Sequence, residues 1–294
     1  MRITNNMLSQ NLLRNLESAQ GRMDQLQNQL STKHRINRPS DDPVGIQNAM
    51  RLKSNISSVE QWKSNADSAM GYMYTTDSTL GDITLMLHTV KDRALLGANG
   101  TLTTADKEAI AKEVDQISEQ LVMLANTRVG SKYIFSGTAT DKELILASGI
   151  ININANSNPV NFEVGNNLSI SVSVDGPALY GDNATGIVAT LKALSVALRG
   201  TTSTSFDTVL GNIDTNIDNV IALRSDLGAR TNRMTALRGQ LDSTSINLQA
   251  NLSSIQDADM AKTITDFTSQ ENVYKAALAV GAKIIQPSLV DFMR

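Results

Sequence analysis

The sequence predicts a mainly α fold, in which long coiled-coil-like helices from both termini form a nested bundle around a small β-containing central insert. Three observations predict it. Apolar residues at both ends of the chain recur at alternating spacings of three and four, the seam of a coiled coil. A middle stretch, about residues 144–176, instead alternates apolar and polar with period two, the pattern of half-buried strands. Aromatics make up only 4% of the 294 residues, with one tryptophan, Trp62. A core so poor in large rings is built from thin layers of Leu, Ile, Met and Ala between helices.

At the N-terminus the stripe runs through Leu12, Leu16, Ala19, Met23, Leu26 and Leu30, while amides such as Asn15, Gln25 and Gln27 fill the outer faces. So narrow a stripe cannot bury itself and needs a partner helix. The other end of the chain supplies one. Met260, Ile264, Phe267, Glu271, Tyr274, Leu278, Gly281 and Ile285 repeat the spacing, and Val273, Ala277, Val280 and Ile284 widen the stripe. The last helix thus carries more apolar surface than one partner covers, which marks an association surface. Pro287 bends or ends it before the tail SLVDFMR.

Between the ends, residues of about 43–97 read as a long helix interrupted near Gly71 and Gly81. GANGTLTTADKE reads as a loop and a helix start, with Thr103 or Thr104 as N-cap and Asp106 in the first turn. That helix runs to about Arg128, where VGSKYIFSGT breaks the pattern around a short strand-like run. Strands follow in the 144–176 stretch, then a short helix at about 183–199. A final helical tract starts near Phe206, with Ile213, Ile217, Val220, Leu227, Met234, Leu237, Leu241, Leu248, Leu252 and Ile255 on its apolar stripe.

The net charge of −3 gives no overall attraction to nucleic acid or to an anionic membrane. No apolar run approaches the ~20 residues of a membrane span, and the polar, amphipathic MRITNNMLSQNLLRN lacks the apolar stretch of a cleaved secretory signal. The absence of cysteine excludes disulfides, thiolate nucleophiles and Cys–metal sites. His34 and His88, the two histidines, lack the spaced partners of a His–metal motif and read as structural or solvated. GANG lacks the lysine of a P-loop, and no G-x-S-x-G elbow is present. Met7, Met23, Met70, Met73 and Met86, at helical spacings, read as core fillers. No catalytic, metal-binding or cofactor-binding residue is expected, and neither is a nucleic-acid or membrane partner.

The segment HRINRPSDDPVG, residues 34–45, poses a choice between a catalytic loop, an ion site and a hinge. Adjacent residues such as Asp41 and Asp42 point apart on a helix, and no calcium-type ligand loop follows them. A hinge with a built-in helix start is the stronger reading. Pro39 stops the first helix, Ser40, Asp41 or Asp42 caps the next, and Pro43 and Gly45 shape its first turn. Carboxylates there also meet the positive end of the helix dipole.

QLSTKHRINRPSDDPVGIQNAMRL, NTRVGSKYIFSGT, SDLGARTNRM and SSIQDADMAKTITDFTSQENVYKAAL together resemble the bacterial flagellin family, over about residues 1–138 and 205–294. Where flagellins carry an Asp-Asp-Ala-Ala-Gly run, this chain has Pro-Ser-Asp-Asp-Pro-Val-Gly, and it ends in SLVDFMR instead of a Leu-Ser-Leu-Leu-Arg-like tail. Both departures resemble the family's junction members more than its filament subunits. The resemblance implies an inner polymerisation layer from residues 1–40 and 255–294, a helical bundle from 41–132 and 201–254, and a variable outer domain at 133–200. It implies a non-enzymatic structural adaptor of the bacterial flagellum, secreted through type III export, that joins hook to filament through its terminal helices.

The assembly interface would then be Leu12, Leu16, Met23, Leu26, Leu30, Ile264, Phe267, Tyr274, Leu278 and Ile285, with Arg35 and Arg38 facing neighbouring subunits. Implied partners are the proximal hook–filament junction protein, flagellin, further copies of the chain in a ring, and an export chaperone on the C-terminal region. The alternatives are a short flagellin that forms the filament itself and, from another class, a type III secreted tip- or translocator-like interaction protein.

Overall fold

The computed structural model describes residues 5–99, 101–146, 150–152, 156–181, 185–200 and 205–285. The elements follow in the order α1 (Asn5–Thr32), α2 (Pro43–Gly97), α3 (Thr104–Ala125), β1 (Arg128–Val129), β2 (Lys132–Tyr133), β3 (Asn161–Gly165), β4 (Leu168–Ser171), α4 (Gly176–Tyr180), α5 (Ile187–Leu198), α6 (Phe206–Gln256) and α7 (Met260–Ile285). They divide into two compact units: Met1–Ser58 with Thr244–Arg294, and Val59–Ser243. Helices α2 and α6 contribute residues to both.

In Val59–Ser243 the bundle forms because α2 and α6 each bury a row spaced by threes and fours. On α2 the row includes Ala66, Met73, Leu80, Ile83, Leu87 and Val90; on α6 it includes Ile213, Val220, Leu227 and Met234. These rows knit into one core with Ile110, Val114 and Leu121 of α3. Helix α2 runs through Gly71 and Gly81 without a break, contrary to the expected interruptions. Each glycine weakens a helix by about 1 kcal/mol relative to alanine, which a 55-residue helix packed along its length absorbs. Arg224 to Asp77, Arg238 to Asp67 and Lys91 to Asp214 cross from one long helix to the other at 2.7, 2.6 and 2.6 Å. Such half-exposed pairs contribute at most about 1 kcal/mol each; they set register more than stability.

Thr103 is the N-cap of α3, in a capping box with Asp106: each side chain accepts from the other's backbone amide. The Thr103 hydroxyl and amide hold the Asp106 carboxyl below its usual range. The helix ends at Ala125, three residues short of the expected Arg128, because Asn126 turns its side chain to the insert. Its Oδ1 accepts from the amides of Leu144 and Ile145, and its Nδ2 donates to the Ile145 carbonyl.

The strand expectations hold in reduced form. β1 and β2 make a short antiparallel hairpin turning at Gly130 (φ +62°), and β3 pairs antiparallel with β4. From the LILASGIININ stretch the described residues give one isolated bridge, Ile145 to Ile151; residues 147–149 and 153–155 lie outside the described residues. Arg230 of α6 ties β4 down, donating to Ser171 Oγ and the Ser173 carbonyl, each at 3.3 Å. The insert has its own buried aromatics, Phe135 and Tyr180, which meet edge to face at 6.4 Å.

The terminal unit rests on α1 and α7, which run antiparallel. Leu12, early in α1, meets Gly281, late in α7. Arg22, Leu26 and Gln29 line a groove with Asp266, Ser269 and Gln270. Pro287 and the tail lie outside the described residues.

Candidate assembly hinge and terminal-helix surface

The first helix stops at Thr32, seven residues before Pro39, so Pro39 is not its terminator. Lys33 adopts a left-handed conformation (φ +63°), which breaks the helix and turns the chain toward the joint between α6 and α7. There the backbone forms a bridge of the antiparallel kind between His34 and Asp257. The Arg35 amide donates to the Gln256 carbonyl at 2.7 Å, and the Ala258 amide to the Lys33 carbonyl at 3.0 Å.

Side chains lock this joint. His34 Nδ1 lies 3.0 Å from Asp257 Oδ1, and Ser253 Oγ donates to the same carboxylate at 2.6 Å. The Ser253 hydroxyl, helped to a lesser degree by the His34 ring, holds the Asp257 carboxyl below its usual range against the desolvation that would raise it. Arg35 Nη2 donates to the Ile255 carbonyl at 2.9 Å. That guanidinium serves the chain's own hinge, on a residue that is otherwise exposed. The Arg38 side chain is exposed, beside Asp41, Asn37 and the last turns of α1 in an open polar groove.

The two aspartates divide the work. Asp42 Oδ1 accepts from the Gly45 amide at 2.8 Å and caps α2, with Pro43 as the first helical residue. Asp41 Oδ2 accepts from the amides of Asn37 and Arg38 at 3.1 and 2.9 Å and closes the preceding turn. Those two donors, Arg38's first, depress its pKa. Ser40 is exposed and makes neither contact. Gly45 is a requirement of this geometry: a Cβ would sit 2.5 Å from Ile36 Cδ1 and 2.8 Å from Asp42 Cγ. No cluster of three or more His, Cys, Asp or Glu able to hold a metal exists among the described residues.

On α1 the expected stripe is the one that faces inward. Leu12, Leu16, Met23, Leu26 and Leu30 are half-buried and Ala19 is buried, while their neighbours are mostly exposed. On α7 the seam differs. Met260, Phe267, Glu271, Tyr274 and Gly281 take inner positions as expected, but Thr263, Gln270 and Ala277 join them in place of Ile264 and Leu278. Ile264 and Leu278 lie beside the seam, 53% and 46% exposed, and Val273 and Val280 are exposed on its other side. The Ile285 side chain lies outside the described residues. Gln270 Nε2 is buried with no hydrogen-bond partner. Gly281 permits the close approach of the two helices, since a Cβ there would stand 2.6 Å from Leu12 Cδ2.

The missed partner of the hinge, Asp257, lies 223 residues from His34; its only sequence signal was the QDAD break between two helical patterns. No described helix is long and apolar enough to cross a membrane.

Comparison with known proteins matches residues 3–140 to the N-terminal helical region of bacterial flagellin and residues 210–293 to its C-terminal helical region. Flagellar hook-associated protein 3 of Escherichia coli is 24% identical over 300 residues, 94% of this chain and 95% of that protein. A flagellin of Bacillus subtilis is 26% identical over 302 residues, 97% of each chain. The crystal structure of Bacillus cereus FlgL shares the fold, with a TM-score of 0.60 at 22% identity over 69% of this chain and 99% of that one. The His34–Asp257 joint therefore brings together the two helical regions by which one family is matched, and the chain belongs to the bacterial flagellin family.

Proposed function

We propose that this chain is a structural adaptor of the flagellum, joining the hook to the flagellin filament, and that it catalyses no reaction. The observation that carries the reading is the terminal hairpin of α1 and α7. It spends polar residues, Thr263 and Gln270, on its internal seam and leaves Ile264, Leu278, Val273 and Val280 exposed on both sides of it. A monomer gains nothing from that allocation; a polymer whose neighbouring subunits cover both sides does. The similarity to hook-associated protein 3 over nearly the whole of both chains favours the junction role, as does the Pro-Ser-Asp-Asp-Pro-Val-Gly hinge.

In this reading residues 1–40 and 255–294 form the inner polymerisation layer, 41–132 and 201–254 the bundle around it, and 133–200 the outward domain. The assembly interface comprises the α1 stripe, Leu12 to Leu30, with Ile264, Phe267, Tyr274, Leu278 and Ile285. Its partners are the proximal junction protein, flagellin, other copies in a ring, and an export chaperone at the C-terminal region.

A second reading, a short flagellin that forms the filament, draws on the similarity to the Bacillus subtilis protein. Electron microscopy of cells lacking the chain separates the two. Intact hooks without filaments, with flagellin released to the medium, are expected of the junction. Loss of filaments without any released flagellin would point to the filament subunit, and normal filaments would sink both readings.

A further inference from the structure

The outer face of α2 carries a feature that the terminal helices do not explain. Its inward row is buried, yet Tyr74 and Leu85 on the opposite face are 59% and 67% exposed. They stand eleven residues apart, about three helical turns and so on one face. Between them Ser78 and Gly81 keep the helix surface low. A Cβ on Gly81 would find nothing closer than the Arg224 guanidinium, at 3.6 Å. Arg224 reaches across from α6, its Nε 2.7 Å from Asp77 Oδ1. Ile221, one turn earlier on the same face of α6, is 49% exposed. The result is a groove of about 480 Å3 with apolar rims and the exposed carboxylate of Asp82 at its edge.

A complementary surface stands on the other flank of α2. Tyr72, two residues from Tyr74 and so turned to the opposite side, donates its hydroxyl to the Ile134 carbonyl at 2.7 Å. That bond fixes the β1–β2 hairpin at the level of the groove. The hairpin tip, Gly130 to Lys132, is exposed and basic. Arg128 at its base lies over the Tyr133 ring, 4.1 Å from the centroid. Met123, on the turn of α3 that leads into the hairpin, is exposed as well. Neither Asp82 nor Lys132 makes an ion pair among the described residues.

A ring of identical chains side by side requires two unlike, complementary patches on opposite flanks of each copy, at one level. The groove and the hairpin meet that requirement in position and in charge. We propose that the Tyr74–Leu85 groove receives the β1–β2 hairpin of a second copy of this chain, with Lys132 against Asp82 and Met123 extending the apolar contact. This rests on the ring-forming reading above and adds to it a lateral contact outside the terminal helices.

The chain has no cysteine, so a Ser78→Cys, Ser131→Cys double variant reports the contact directly. In flagella isolated from cells producing it, mild oxidation is expected to give a ladder of disulfide-linked oligomers that neither single variant gives. Asp82→Lys should lower the yield of that ladder, and Lys132→Asp added to it should restore it. Flagella that carry the double variant without a ladder overturn the groove and leave the junction reading standing, since filament attachment judges that reading. If the natural chain is missing from isolated flagella, the junction reading falls. The same oxidation in concentrated purified chain then decides the groove: linked dimers of the double variant alone support it, and monomers overturn it.

Discussion

His34 and Asp257, 223 residues apart in the sequence, meet at 3.0 Å and close the joint between the two ends of the chain. Asp257 is nearly solvent-exposed, so the charge contributes little by itself, but its sign is testable. Its pKa is lowered in the folded chain, chiefly by the Ser253 hydroxyl and then by His34. A depressed carboxyl stabilises the fold above its unfolded pKa, and that contribution is lost as pH falls through the folded one. Thermal unfolding followed by circular dichroism from about pH 6 to about pH 3 should show a steeper loss for the natural chain than for Asp257→Asn, which begins lower at neutral pH. Parallel curves would mean that the joint does not sense this carboxyl.

Two neighbouring changes at the start of α2 should separate a cap from a steric requirement. Asp42→Ala removes the acceptor of the Gly45 amide and should cost about 1 kcal/mol, the usual value of an N-cap. Gly45→Ala forces a methyl against Ile36 and into the capping carboxylate of Asp42, so disturbance of the cap adds to an overpacking cost of about 1–3 kcal/mol. Denaturant unfolding measures both. A neutral Gly45→Ala would show that Ile36, which is buried, can move aside.

The helices and the inner face of α1 were legible because each is written locally, as a three-and-four repeat. What was not legible depends on distant residues. Nothing near Lys33 says that it turns left-handed; the reason is a backbone bridge to Asp257. Pro39, a visible helix breaker, falls in a turn that has already begun. The α7 seam departs from its sequence pattern for a different reason. Rows through Met260, Phe267, Tyr274 and Gly281 can be completed with Ile264 and Leu278 or with Thr263 and Gln270. Hydrophobicity chooses the first, whereas the structure uses the second inside the chain.

That choice makes the seam improvable. Gln270 Nε2 is buried without a partner, and an unsatisfied donor costs about 1–3 kcal/mol. Gln270→Leu should therefore raise the melting temperature of the purified chain, by an amount corresponding to about 1 kcal/mol or more. A lowered melting temperature would mean that the amide finds a partner in solution. If the seam must loosen during assembly, the same variant should slow incorporation into the flagellum even though the monomer is more stable.

Leu278 and Phe267 give the sharpest contrast between folding and assembly. Phe267 faces the seam, half-buried, whereas Leu278 is 46% exposed beside it. Phe267→Ala should lower both the melting temperature and assembly, with a stability cost below the ~3–5 kcal/mol of a fully buried phenylalanine. Leu278→Asp should leave the melting temperature within about 0.5 kcal/mol of the natural chain, as exposed substitutions usually do. It should nevertheless abolish incorporation, because a carboxylate placed between packed subunits is left desolvated and unpaired. The two measurements are melting of the purified variant and recovery of the variant in isolated flagella. Assembly at the natural level with Leu278→Asp would remove this flank of α7 from the interface, and Ile264 would leave with it, since both stand on the same side of the seam.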